Sequence, residues 1–151
     1  MKKARLAQIE EFRRYRNTAI VGISRNPKKF GFQLAQLLIG QDYNLRPIHP
    51  EATEILGLKC IKSVSELPPD TDSIIIVTPK ELTNQYLNDA LDAGIRQVWI
   101  QQFSETPESL ATAAQSEANV VIGRCLIMYS NPHGIHRMHA RIAKLFGVSA
   151  T

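Results

Sequence analysis

The sequence predicts an α/β fold built on a doubly wound parallel sheet with helices on both faces. Three observations carry that prediction. Short apolar runs alternate with helix-period patterns from one end of the chain to the other, the βαβα rhythm of such sheets. The run Ser73–Val77 (SIIIV) is continuously apolar after its serine, as suits a strand covered on both faces. Finally, Thr18–Ile23 runs into a polar, basic loop and then an amphipathic helix, an arrangement able to hold phosphates at the helix start.

The elements follow in order. Leu6, Ile9 and Phe12 share one face of a leading helix. Thr18–Ile23 is the first strand. Phe32, Leu34, Ala35, Leu37 and Leu38 form the apolar side of a helix that ends near Gly40, a residue whose freedom at positive φ suits a C-cap. Leu45–Ile48 is a short second strand running into His49-Pro50. Leu56-Gly57, Lys59-Cys60-Ile61 and a short helical turn over Ser63–Leu67 precede the SIIIV strand. Thr78-Pro79-Lys80-Glu81 then predicts a helix start in which Thr78 caps, Pro79 takes the first position and Glu81 completes a capping box. That helix runs to Ala93-Gly94. Gln97–Gln101 is the next strand, Pro107–Glu117 the next helix, and Asn119–Ile122 the last core strand.

At 151 residues and 44% hydrophobic, the chain fits one compact domain with a full core. Its formal net charge of +4 suits a small anionic ligand. The excess lies at the N-terminus (Lys2, Lys3, Arg5, Arg13, Arg14, Arg16) and in the C-terminal tail. Few aromatics and no basic–aromatic interleaving argue against a nucleic-acid platform. The two cysteines, Cys60 and Cys125, form no CxxC pair, no apolar run reaches bilayer-spanning length, and the N-terminus lacks a signal-peptide core. A soluble, reduced, cytoplasmic protein without membrane contact is the expectation.

Parallel sheets of this kind bind ligands outside the carboxyl ends of their strands. Five loops therefore matter: Gly22–Lys29, His49-Pro50, Thr78-Pro79, Gln101-Gln102 and Gly123-Arg124-Cys125. The first offers the side chains of Ser24 and Asn26 and the cations Arg25, Lys28 and Lys29 ahead of a helix N-terminus. It is competent for an anion, and it is equally readable as a solvated basic turn. The second strand ends Arg46-Pro47-Ile48-His49-Pro50, with no acid before Glu51. A dinucleotide site places an acid there for the ribose and a GxGxxG loop ahead of it, and this chain has neither, which weighs against NAD. Arg46 is a cation near where an additional ligand phosphate would lie, or simply a solvent-facing strand residue.

These residues resemble a known family, the small stand-alone CoA-binding domain proteins related to the CoA-binding domain of succinyl-CoA synthetase alpha subunits. The resemblance runs from about Thr18 to Cys125 through VGISRNPKKF, RPIHP, EILGLKCIKSVSELP, IIIVTP, VWIQ and the closing GRC. It implies a Rossmann-like, three-layer α/β/α domain of about five to six strands with a C-terminal tail helix, holding coenzyme A or acyl-CoA across the strand ends. By resemblance Gly22, Ser24, Asn26, Pro27 and Lys28 contact phosphates, Pro50 flanks the adenosine, and Thr78 and Pro79 line the cleft. Arg25, Arg46, His49, Gln101 and Arg124 complete the candidate set. The family usually has Asn where this chain has His49, which opens the question of local hydrogen bonding. In the synthetases a separate domain carries the phosphorylated histidine, and that chemistry does not carry over.

The implied organisation is a basic N-terminal helix (1–16), the binding domain (17–125) and a basic C-terminal extension packed on it (126–151). In the extension, His133, His136 and His139 are spaced by threes and sweep around a helix, so a structural, solvent-facing set is expected rather than a metal site. Arg137, Arg141 and Lys144 there would also permit an interfacial helix. The expected function is CoA binding without catalytic machinery, as carrier, sensor or regulatory subunit, with a protein partner or homodimer open. The alternatives are a CoA- or nucleotide-dependent enzyme working through His49 or Cys125, and an NAD(P)-binding protein. For Cys125 the simpler expectation is a buried small hydrophobe.

Overall fold

The structure, a computed structural model, describes residues 4–130. The elements are α1 (Leu6–Phe12), β1 (Asn17–Val21), α2 (Phe30–Ile39), β2 (Asn44–Ile48), β3 (Glu54–Ile55), β4 (Leu58–Lys59), a 3₁₀ turn (Val64–Glu66), β5 (Ser73–Ile76), α3 (Lys80–Asp92), β6 (Gln97–Gln101), α4 (Pro107–Gln115), β7 (Asn119–Arg124) and α5 (Ile127–Ser130). Five of the strands form one parallel sheet in the order β2-β1-β5-β6-β7, which makes it Rossmann-like and doubly wound.

Two apolar layers flank the sheet, one on each face. Ile20, Ile75, Trp99 and Val121 face the layer built by α1, α2 and α5. Ala19, Ile74, Ile76, Val98, Ile100 and Val120 face the layer that holds Leu87 and Ala90 of α3. This alternation is the two-residue period of a strand buried on both sides. Trp99 is fully buried, with Phe12 edge-on at 5.4 Å between ring centroids and its indole N–H donated to the Arg124 carbonyl at 3.2 Å. The leading helix is thus part of the main core, its Ile9 and Phe12 buried.

Both end strands of the sheet are met by other chain. On the β2 side, Ile61 pairs with Ile48 as a single bridge, its N–H bonding the Pro47 carbonyl and its carbonyl the His49 N–H. Pro47, which has no N–H of its own, suits this outermost position. On the β7 side, the Ala4 N–H bonds the Ile122 carbonyl. The segment between β2 and β5 holds the β3–β4 hairpin, which the sequence pattern did not mark. It turns through Leu56 and Gly57, both at positive φ (55° and 75°).

Local corrections are instructive. Gly40 closes α2 at φ −70°, in the right-handed region, and the left-handed residue is Asp42 at 64°. The chain reverses two residues later than the glycine suggests, and the short polar side chain of Asp tolerates that conformation. At α3 the cap is Pro79 rather than Thr78, and no side chain caps it. The Thr78 hydroxyl lies only 5% exposed and bonds Thr83 instead, so the expected capping box with Glu81 does not form. The box forms at α4, between Thr106 and Ser109. The expected tail helix with His133, His136, His139, Arg137, Arg141 and Lys144 falls on residues outside the described ones.

Candidate functional site

Counting only the strands of the large sheet, the order is 2-1-3-4-5, so connections leave β1 and β5 in opposite directions and open a crevice between them. The two strand ends meet there at Gly22. Its φ of 99° is left-handed, and a Cβ built on it would lie 2.4 Å from the Val77 carbonyl oxygen and 2.7 Å from the Thr78 nitrogen. Only glycine lets the loop leave β1 that close to the backbone following β5. Gly31 does a related job from α2. A Cβ there would come within 3.0 Å of the Ile23 Cα, so its absence seats the helix start directly against the loop.

Between the two glycines the loop is held by its own polar side chains. Ser24 Oγ accepts the Asn26 N–H at 3.0 Å, and Asn26 Oδ1 accepts the Lys28 N–H at 3.0 Å. The Asn26 carbonyl takes the Lys29 N–H. The side-chain acceptors are therefore used internally. What is left over is donors, the Ser24 hydroxyl hydrogen and the Asn26 amide NH₂, which have no partner among the described residues. Arg25, Lys28 and Lys29 are exposed and form no ion pair there, and no side chain caps the α2 N-terminus beyond them. Pro27 is exposed and its carbonyl takes the Gln33 amide at 3.3 Å. A cluster of leftover donors and cations in front of a helix start attracts an anion.

At the end of β2, His49 is half-buried and its Nδ1 accepts two backbone N–H groups, from Glu51 at 3.1 Å and Ala52 at 2.9 Å. This answers the question that the residue raised. An Asn there would offer its Oδ1 to the same donors, and histidine does so with a ring nitrogen, which leaves its proton on Nε2. Pro50 follows, exposed. Past β5, the Thr83 hydroxyl donates to the Ser104 carbonyl at 2.7 Å, so the Thr78 hydroxyl, 2.9 Å away, donates to Thr83. This relay ties the loop after β5 to the loop after β6 and leaves the Thr78 oxygen able to accept. Pro79 beside it is exposed.

The remaining candidates are engaged with other parts of the chain. Arg46 turns back to the opposite edge of the sheet, where it pairs with Asp70 at 2.8 Å and donates to Thr71 Oγ1 at 2.6 Å. The Arg46 hydrogen bond and charge pull the Asp70 carboxyl below its ordinary pKa. Gln101, 3% exposed, spans to the segment after β7, donating to Cys125 Sγ and accepting the Leu126 N–H at 3.1 Å. The Arg124 guanidinium holds the Ala4 carbonyl through Nε and Nη2. All three have intramolecular partners distant in sequence, which no local pattern announces. Cys125 is buried as expected, and that burial pushes its thiol pKa up against the Gln101 hydrogen bond. Burial, with Glu54 nearby, likewise raises Cys60, with Arg25 opposing.

Away from these loops, a groove of about 530 Å³ lies between the 3₁₀ segment and the C-terminal end of α3, lined by Ser63, Leu67, Pro68, Asp89, Asp92 and Ile95. Ile95 and Thr71 precede their strands, so this groove belongs to the edge opposite the crevice. Among the described residues no group of three or more His, Cys, Asp or Glu is placed to hold a metal, and no helix is long and apolar enough to cross a membrane.

Fold and site together define an open parallel α/β domain with a donor-rich, basic loop at its switch point, the class that holds nucleotide-like ligands at its strand ends. The comparison with protein families names the particular group. The chain belongs to the CoA-binding domain family, whose match covers residues 16–131. It is 35% identical over 96 residues to the acetate–CoA ligase [ADP-forming] II subunit alpha of Pyrococcus furiosus, covering 62% of this chain and 21% of that one. The chain thus spans about a fifth of that relative, and 12% of the acetate–CoA ligase [ADP-forming] of Methanocaldococcus jannaschii, at 31% identity over 54% of this chain. Among solved structures it is similar to a conserved hypothetical protein of Pyrococcus furiosus, at 35% identity and a TM-score of 0.71, over 74% of this chain and 97% of that one.

Proposed function

We propose that this protein binds coenzyme A or an acyl-CoA along the carboxyl edge of its sheet, with no catalytic machinery of its own. The observation that carries this is the makeup of the loop from Gly22 to Lys29. Its side-chain acceptors are engaged in the turn, and its three cations form no ion pair among the described residues. Family membership selects the ligand from among the anions that would fit. The phosphates sit on Ser24, Arg25, Asn26, Pro27 and Lys28, the adenosine beside His49 and Pro50, and the rest of the ligand passes Thr78 and Pro79. The role is that of a cytoplasmic carrier, sensor or regulatory subunit, acting with a protein partner or as a homodimer.

Against a working catalytic group, His49 Nδ1 is occupied by two backbone donors and Cys125 is buried with a raised pKa. Thermal unfolding with CoA, acetyl-CoA, NAD, NADP and ATP in parallel tests the ligand. CoA at about a hundred times its dissociation constant stabilises by roughly 2.7 kcal/mol. A response to NAD with none to CoA refutes the proposal. Retention of the CoA response after joint replacement of Arg25, Lys28 and Lys29 by Ala moves the phosphates off this loop.

A further inference from the structure

The groove at the edge of the sheet opposite the basic loop plays no part in ligand binding at the carboxyl ends. Its apolar lining comes from Val64, Leu67, Pro68 and Ile95, and its carboxylates, Asp89 and Asp92, come from the last turn of α3. A helix C-terminus carries partial negative charge, so two carboxylates there are unfavourable, and that turn contains no basic residue. Arg96, the next cation along the chain, donates to the Leu91 and Ile95 carbonyls, and neither aspartate forms an ion pair among the described residues. An apolar groove with one uncompensated acidic wall is complementary to a segment that is apolar on one side and basic beside it.

The chain itself carries such a segment. Residues 131–151 contain no acid. Ile135, Met138, Ile142 and Leu145 fall on one stripe at helical spacing, and Arg137, Arg141 and Lys144 on a second, about a third of a turn away. This stripe cannot seat in its own groove. It follows α5, which lies against the other face of the sheet with the Tyr129 ring 6.1 Å from that of Trp99. The five steps from Ser130 to Ile135 reach at most about 18 Å, whereas the route round a rim passes two helix layers of about 10 Å each and the sheet between them. We propose that each tail docks in the groove of a second copy rather than on its own domain, its apolar stripe on Leu67, Pro68 and Ile95 and its cations against Asp89 and Asp92. Reciprocal docking fills both grooves and closes the assembly as a two-fold dimer. The inference specifies the homodimer of the proposed function and rests on that part of the reading alone, whatever binds at the carboxyl edge.

Sedimentation equilibrium of the full chain decides the matter. Wild-type protein is a dimer that high salt weakens. Asp89→Lys with Asp92→Lys in one variant, and Arg137→Glu with Arg141→Glu in another, each weaken association about a hundredfold by setting like charges together. An equimolar mixture of the two variants restores a dimer, because the reversed tail then meets the reversed groove and the native tail the native groove. The groove variant melts no lower than the tail variant, since lysine suits a helix C-terminus, and this separates lost docking from lost folding. A monomeric wild type, a dimer that survives either pair of substitutions, or a mixture that stays monomeric overturns the proposal. A monomeric wild type that melts lower once residues 131–151 are removed assigns the tail to its own domain instead. The rise in melting temperature with CoA is the same in all these proteins, so the dimer and the CoA site can each fail without the other.

Discussion

Two regions at the same edge of the sheet share a sequence signature and differ in what their side chains do. The loop after β1 and the strand ends of β6 and β7 both carry polar and basic residues where ligands of this fold class bind. In the first, side-chain acceptors fold the loop and the donors remain; in the second, Gln101 and Arg124 are both spent on the chain itself, on Leu126 and Cys125 and on Ala4. A polar residue at a strand end is a ligand candidate only after its intramolecular hydrogen bonds are known. The two regions should therefore answer mutation in opposite ways.

The sharpest break is at the glycine that opens the first loop. Gly22→Ala places a methyl group against the Val77 carbonyl and forces a left-handed φ on alanine, and it should cost about 3 kcal/mol by urea denaturation. A loss under 1 kcal/mol would show that the loop and the β5 end can separate. The comparison itself is tested by Gln101→Ala against Lys28→Ala. The first removes the Gln101 hydrogen bonds to the Leu126 N–H and to Cys125 Sγ and should lower stability by about 2 kcal/mol with CoA affinity intact in the folded protein. The second should leave stability within about 0.5 kcal/mol and weaken CoA several-fold, the more so at low salt. Swapped outcomes would reverse the assignment of the two regions.

A smaller effect is expected at His49. Replacement by Ala removes the acceptor for two N–H groups and should cost about 1 kcal/mol, while Asn restores it and should fall within a few tenths of wild type. The weakest is Asp70→Asn at the far edge. The folded-state pKa of Asp70 is depressed by Arg46, so its contribution is present above the unfolded carboxylate value, about 3.9, and is lost as pH falls below it. The variant should flatten only that acid limb in a melting-temperature profile and leave CoA binding unchanged.

The layers and the strands were legible because each is written locally. SIIIV and QVWIQ are contiguous, and the apolar side of α2 repeats at helical spacing. The hairpin at Leu56-Gly57 was missed because its two-residue strands are too short for any period to show. Thr78 misled for another reason: the same hydroxyl that suits a cap also suits a buried relay, and Thr83 five residues on decides between them. The intramolecular partners of Arg46, Gln101 and Arg124 were not legible because they lie 25, 25 and 120 residues away.

The pairing of Ile61 with β2 and of Ala4 with β7 has a further consequence for assembly. A parallel sheet left open at its rims can recruit a strand from another molecule, which leads to continuous sheets across subunits or to aggregation. Here residues from outside the sheet meet the strand at either rim. Strand addition at either rim would therefore have to displace Ile61 or Ala4 from the position it holds.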